Sequence, residues 1–143
     1  MRRSVCLVIW ISCVALLFGC TAGPIDDPWG IALSISNVSP AGGTLRCEQR
    51  GGAPPGELQT GVDFSLEKRE EGVWTPLEPV SEPAWTAIAL TVPPGETKRW
   101  PVDWTGVYGE LPPGQYRVKK AVQAYRAPGD YDVREYYAEF TIR

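Results

Sequence analysis

The sequence predicts an all-β fold, an antiparallel sandwich of about seven or eight short strands, and three observations predict it. Polar and apolar residues alternate in one segment after another, which is typical of strands with one buried face. All 14 prolines follow Cys20, and Pro and Gly recur through most of the chain after it, which disfavours long helices there. Turn-forming residues recur at nearly regular intervals, as they do in sandwiches and barrels.

Eight segments carry the strand pattern. In the first of them, Ile31, Leu33 and Ile35 alternate with small residues. The run from residue 85 to 92 consists of apolar residues and threonine, which indicates a strand covered on both faces or near an edge crossing. The predicted strands lie within residues 31–36, 45–48, 62–67, 73–77, 85–92, 97–104, 115–124 and 136–142.

The turns between these strands have their own signature. Pro-Pro-Gly occurs at residues 54–56, 93–95 and 112–114, and this sequence suits a type II turn because proline fixes φ and glycine accepts a positive φ. Tyr116 follows the third of these turns at the start of a long strand. The arrangement resembles the tyrosine corner of Ig-like sandwiches, which implies a structural role for the Tyr116 hydroxyl.

The first twenty residues have the layout of an export signal. Arg2 and Arg3 precede an apolar run over residues 5–18, broken only by Ser12. A membrane-spanning helix is the alternative, but the run is shorter than the roughly 20 residues that such a helix needs. The run ends in Leu-Phe-Gly-Cys at residues 17–20, which resembles the lipobox of bacterial lipoproteins.

That resemblance divides the chain. It implies a signal peptide over residues 1–19, a lipid on the sulfur of Cys20, and a flexible tether over residues 20–29. Residues 30–143 then form the folded domain. The membrane is a partner through the Cys20 lipid, and two or three acyl chains give stable anchoring. The expected location is the outer face of the cytoplasmic membrane, or the outer membrane in a Gram-negative cell.

Composition argues against several kinds of chemistry. The chain of 143 residues suits one domain and contains no histidine, so a Ser-His-Asp triad and a His-ligated zinc site are excluded. Cys6 and Cys13 lie in the predicted signal peptide and Cys20 would carry the lipid, so Cys47 is the one cysteine left in the domain. This precludes a disulfide within the domain and indicates a buried apolar side chain. The net charge of −3 disfavours nucleic-acid binding. We expect no metal and no cofactor.

Several motifs together look like a bacterial Ig-like domain family of secreted and lipid-anchored proteins. The resemblance extends over residues 30 to 143 and implies an Ig-like sandwich, without implying an activity or catalytic residues. Its motifs are Asn-Val-Ser-Pro at 37–40, Gly-Thr-Leu at 43–45, Gly-Glu-Leu-Gln-Thr-Gly at 56–61, Phe-Ser-Leu-Glu-Lys at 64–68, Trp-Thr-Ala-Ile-Ala at 85–89, Trp-Pro-Val-Asp-Trp at 100–104, and the segments 108–117, 126–132 and 136–140.

Two sets of side chains are candidate sites. Asp130 and Asp132, with Glu110 and Asp103 near them, would suit acid–base hydrolysis or a hard cation, although a solvated turn is the favoured interpretation. The second set consists of aromatic residues that flank the predicted loops at 103–113 and 125–132. Packing of these rings in the core or against the loops is the favoured interpretation, and exposed rings there would suit a sugar or a protein partner. That set is Trp104, Tyr108, Tyr125 and Tyr131.

Two further features are weaker. The segment 50–60 is the longest predicted loop, which suits either a binding site or a packed connector. Lys119 and Lys120, with Arg117 nearby, are expected on the solvent face of a strand, where binding of anionic polymers is a minor alternative.

We therefore expect a non-catalytic, lipid-anchored envelope protein whose domain binds a protein or a glycan, or serves as a spacer. One alternative is an extracytoplasmic proteinase inhibitor, because the arrangement of aromatic residues and turns is loosely similar to Ig-like intracellular proteinase inhibitors. A carboxylate-based hydrolase is a distant third.

Overall fold

A computed structural model describes residues 22–143, so the predicted signal peptide and Cys20 lie outside the described residues. The described part folds as two antiparallel sheets packed face to face, as the alternation predicts. Its elements are β1 (Ile31–Ser39), β2 (Gly42–Gln49), β3 (Glu57–Thr60), β4 (Ser65–Glu70), β5 (Val73–Pro76), β6 (Leu90–Thr91), β7 (Thr97–Asp103), a helical turn α1 (Thr105–Tyr108), β8 (Gly114–Ala127) and β9 (Asp130–Ile142).

One sheet has three strands in the order β1-β2-β7, and the other has six. Strand β8 organises the larger sheet, because β9 pairs along its whole length on one edge. On the other edge, β4 pairs with residues 116–119 and β3 with residues 122–125. Strands β3 and β4 therefore lie end to end, and Lys120 and Ala121 face the junction between them.

The core fills the space between the sheets with the residues that alternation places inward. Leu45 and Cys47 of β2 are fully buried, as are Val118 and Ala124 of β8. Burial of such side chains contributes about 1.5–3 kcal/mol each. The large inward residues near one end stack in a row, since the Phe140 ring lies 5.1 Å from that of Trp104 and 5.6 Å from that of Tyr116.

The predicted strand over residues 85–92 is wrong. Only Leu90–Thr91 forms a strand, and residues 81–89 are exposed. Pro79 and Pro83, just before this stretch, lack backbone donors and restrict the residues that precede them. Sheet pairing begins at Leu90, where the chain meets β3. The longest irregular segment is thus 77–89, and the predicted loop at 50–60 already contains β3.

The predicted tether is also corrected where the structure describes it. The Gly23 carbonyl accepts a hydrogen bond from Arg50 Nε at 3.0 Å, and the Pro28 carbonyl accepts one from the Ala53 amide at 2.8 Å. A Cβ atom at Gly52 would overlap the backbone of Gly30, so the two segments pack without side chains between them. From Gly23 onward the chain is bound to the domain.

Candidate binding surface

The predicted carboxylate site does not assemble. Asp130 Oδ1 accepts hydrogen bonds from Arg126 at 2.8 and 3.0 Å, and Asp132 Oδ2 accepts one at 2.9 Å. The hydrogen bonds from Arg126 lower the pKa of Asp130. Asp103 instead accepts bonds from Thr105, which lower its pKa. The first two carboxylates fasten the β8–β9 hairpin, and this arrangement leaves no free acid–base pair there.

Metal binding has no support in the described residues. Within 22–143, no group of three or more His, Cys, Asp or Glu side chains is placed to hold an ion.

Two of the four aromatic candidates are not available to a partner. Trp104 is completely buried, and its indole Nε1 donates a hydrogen bond to the Pro40 carbonyl at 2.7 Å. Tyr108 is half-buried, and its hydroxyl accepts a bond from the Leu66 amide at 3.3 Å. The segment after β7 is not an open loop, because α1 turns both rings onto the core. These two rings therefore pack in the core, the favoured interpretation, and do not form an exposed platform at 103–113.

The other two aromatic candidates do lie at the surface. Tyr125 and Tyr131 face each other across β8 and β9, and Tyr131 is 49% exposed. They are not in a long loop, since the strands extend to Ala127 and Asp130 and only Pro128 and Gly129 connect them. Their position is therefore set by strand register.

Tyr116 occupies the position of a tyrosine corner. Its hydroxyl donates a hydrogen bond to the Pro112 carbonyl, four residues upstream, at 2.6 Å. The ring is buried, and burial raises the pKa of its phenol. The bond joins the start of β8 to the chain that leads into it.

The basic run on β8 is divided between two faces, so the prediction of one solvent face is wrong. Lys120 points into the sandwich and is 1% exposed. Its Nζ donates to the carbonyls of Gly61 and Asp63, and it lies 5.8 Å from the centre of the Trp100 ring. Burial lowers the pKa of Lys120. The ammonium thus closes the junction between β3 and β4.

The outer face of the six-stranded sheet carries an aromatic surface that includes the candidates Tyr125 and Tyr131 and extends beyond them. Arg117 stacks between Trp74 and Tyr137, whose ring centres lie 4.6 and 4.0 Å from its Cζ. Its Nε donates a hydrogen bond to the Glu67 carboxylate at 2.6 Å. Further along β9, Val133 is 53% exposed. We call this surface the aromatic face. Its residues are Trp74, Tyr125, Tyr131, Val133 and Tyr137.

A cleft of about 330 Å³ opens beside the aromatic face. Ala121 and Gln123 of β8 form its floor together with Gln59 and Val133, and residues 86–89 of the irregular segment form one wall. The run at 85–92 is therefore relevant in another way than predicted. Because residues 86–89 leave the sheet and only Leu90 and Thr91 pair with it, the cleft remains open.

Comparison with known proteins gives one result. A family model described as "Bacterial Ig-like domain" matches residues 27–141. No curated protein and no solved structure gives a significant match. No helix in residues 22–143 has the length and apolar character needed to cross a membrane. Bacterial Ig-like domains are typically extracellular or surface domains and are generally non-catalytic. The two packed antiparallel sheets agree with this family match, which covers most of the sequence. The chain therefore belongs to the bacterial Ig-like domain family.

Proposed function

We propose that the protein is a non-enzymatic, lipid-anchored component of the cell envelope that binds a partner through the aromatic face. The observation that carries the proposal is the exposed apolar character of β9. Tyr131, Val133 and Tyr137 are 49%, 53% and 38% exposed on one face of an antiparallel sheet. Solvent faces of such sheets are normally polar. Glu135 lies between Val133 and Tyr137 on this face, so the uninterrupted apolar part consists of Tyr125, Tyr131 and Val133. Contiguous apolar patches on monomers mark interaction sites.

The lipid anchor is supported by the sequence around Cys20 and by the position of the chain that follows it. The lipobox-like residues 17–20 precede Gly23, where the domain begins to hold the chain. An anchored Cys20 would place the aromatic face outside the cytoplasmic membrane, where a binding domain meets envelope partners.

The anchor is tested by metabolic labelling with an alkyne analogue of palmitate and by membrane fractionation. We expect Cys20→Ala to lose the label and the shorter, processed form found in the membrane fraction, because cleavage ahead of residue 20 follows its lipidation. Cys13→Ala, within the predicted signal peptide, is the matched control and should retain both. Labelling of the Cys20→Ala protein equal to that of the control would contradict lipidation at this residue.

The aromatic face is tested by photo-cross-linking on intact cells. The photoreactive residue p-benzoylphenylalanine replaces Val133 in the full chain, and in a control it replaces Ser36, which is exposed on the outer face of the three-stranded sheet. We expect discrete adducts from position 133 and none from position 36. Equal adduct formation from both positions would argue against a specific binding face.

The inhibitor alternative has one observation in its favour. The segment 77–89 is long and exposed, and it is held near both ends, by Val80 N donating to Val107 O at 2.7 Å and by Trp85 packing 5.1 Å from Phe64. An exposed, supported segment is what a protease would engage. Incubation with a subtilisin-type protease distinguishes the cases, since ordinary cleavage within 77–89 without loss of protease activity would dismiss inhibition.

A further inference from the structure

We infer that the cleft beside the aromatic face binds a neutral oligosaccharide. This inference rests on the proposed binding function and assigns it a site and a ligand class. The cleft is a depression in a sheet face, lined by side chains of three strands and covered from one side by residues 86–89. Its volume of about 330 Å³ falls at the lower end of the range for small-ligand sites.

The polar groups of the cleft are mainly neutral. Gln123 contributes an amide that both donates and accepts hydrogen bonds, and Thr86 adds a hydroxyl. The Gln59 amide nitrogen donates to the Glu57 carboxylate, which leaves its carbonyl oxygen and its second N–H for a ligand. The floor between the amides is Ala121, whose small side chain leaves room for a ligand. Amides beside small apolar side chains suit a ligand that has many hydroxyl groups and weakly polar ring faces.

Charge argues against an anionic ligand. Asp63 is the one ionisable residue lining the cleft, and its carboxylate would repel phosphate or uronate groups. The Lys120 ammonium donates to the Gly61 and Asp63 carbonyls, but Lys120 is 1% exposed and therefore not accessible to a ligand. The neighbouring Lys119 lies 3.8 Å from Glu135, so its charge has a partner. A neutral sugar meets no such repulsion.

Geometry argues against an extended peptide. Peptides that add to a sheet need a free strand edge for their backbone hydrogen bonds. Here the β3 edge at Gln59 and Thr60 is already paired with β6, and the floor of the cleft is a sheet face. Such a face presents side chains and no free backbone row, which suits recognition of sugar hydroxyls.

The aromatic face extends the site in one direction. Gln123 is opposite Val133, and two residues further along the same strands Tyr125 is opposite Tyr131. Side chains two residues apart share a face, so the floor from Ala121 to Tyr125 runs about 13 Å. The exposed Tyr131 ring offers a surface on which a sugar ring can stack at the end of that path. The length accommodates a short oligosaccharide.

Calorimetric titration of the full chain tests the inference. The protein is purified in a detergent without a sugar headgroup and titrated with cellotetraose, chitotetraose and mannotetraose, with tetragalacturonate as the charged comparator. We expect saturable binding of at least one neutral tetrasaccharide and weaker or no binding of tetragalacturonate.

Two variants locate the binding. Gln123→Ala should weaken it about tenfold through lost hydrogen bonds, and Ala121→Arg should abolish it by filling the floor. Gln115→Ala is the matched control, because Gln115 has the same side chain on the same face of β8. Its affinity should equal that of the unmodified chain. Thermal unfolding checks that all three variants fold.

Each other outcome overturns the inference. Neutral sugars that bind Ala121→Arg unchanged would place the site elsewhere, and tighter binding of tetragalacturonate would refute the ligand class. Absence of binding to every neutral tetrasaccharide, with protein adducts still formed from position 133, would leave the binding function standing and replace the glycan with a protein partner.

Discussion

The Tyr136 hydroxyl donates a hydrogen bond of 2.9 Å to the carboxylate of Asp27, 109 residues earlier in the chain. The same Oδ2 atom accepts the backbone amides of Trp29 and Ile31 at 2.9 and 3.1 Å. One carboxylate therefore joins the segment before β1 to the last strand and fixes the turn into β1.

Asp27→Ala should destabilise the domain by about 3 kcal/mol, because three hydrogen bonds are lost at roughly 1 kcal/mol each. Asp26→Ala, at the exposed neighbouring position, should have little effect. Urea unfolding of both variants is the measurement. Equal midpoints for the two proteins would show that Asp27 does not hold the segment.

Tyr136→Phe isolates one of those bonds and carries a pH signature. Burial and the bond to Asp27 raise the pKa of Tyr136 above its ordinary value of 10.0. The folded state therefore resists ionisation, so this contribution is complete below pH 10 and declines as pH rises above it. We expect Tyr136→Phe to cost about 1.5 kcal/mol at neutral pH, with the gap narrowing in alkaline urea titrations. A constant gap would refute the mechanism.

Tyr116→Phe should cost about 1 kcal/mol, since the Pro112 carbonyl loses its buried donor. Tyr108→Phe is the comparison, because the Tyr108 hydroxyl accepts a longer bond from Leu66 and its loss should matter less. Thermal melts of the two variants measure the difference. A larger loss from Tyr108→Phe would reverse the assignment of the corner.

Strand position was predictable from sequence because it depends on short-range alternation. Alternation also predicted the buried positions of two residues whose side-chain type suggested that they would be exposed. Trp104 alternates with Trp100 and Val102, and that period correctly places it inward, whereas its proximity to a loop suggested exposure. Lys120 shares its parity with Val118 and Val122, but the expectation that lysines lie in solvent prevailed.

The candidate surface depends on long-range pairing that alternation does not specify. Tyr131 faces Tyr125 because of the β8–β9 register, and Trp74 reaches Arg117 through β4. The cleft needs residues 86–89 to leave the sheet, which follows from the prolines before them and the short pairing of β6. Each of these contacts depends on which strands pair and in which register, and a local sequence pattern does not predict either.

Lys120→Met should change how stability depends on alkaline pH. Because burial lowers the pKa of Lys120 from its ordinary 10.5, the unfolded chain binds more protons between the folded pKa and 10.5. Stability from this group therefore rises with pH through that interval. In urea titrations, the free energy of unfolding of the unmodified chain should therefore rise relative to that of Lys120→Met as pH approaches 10.5.

Lys119→Met is the control for that titration, since Lys119 lies on the other face of the same strand and pairs with Glu135. Its stability should follow the unmodified chain across the alkaline range. Parallel curves for all three proteins would show that Lys120 is not the group responsible.

Cys47 should be inert in the native protein. The thiol is completely buried, and burial raises its pKa to about 11. Reagents therefore do not reach the sulfur in the folded protein, and little of it is in the reactive thiolate form at neutral pH. Alkylation by iodoacetamide, followed at the Cys47 peptide by mass spectrometry, should proceed only as fast as global unfolding. Labelling at the rate of a free thiol would indicate an open route to the core.

The docking of Gly23 onto Arg50 sets the height of the domain in the envelope. Under the proposed lipidation, three residue steps separate Cys20 from this attachment, a reach of about 10 Å. The long strand β8 spans about 45 Å more. The β8–β9 hairpin, bound to the Pro55 carbonyl through Arg126, would lie near the headgroups. Such a protein would sample only a thin layer above the bilayer, and its ligands would have to come within one domain length of the lipid.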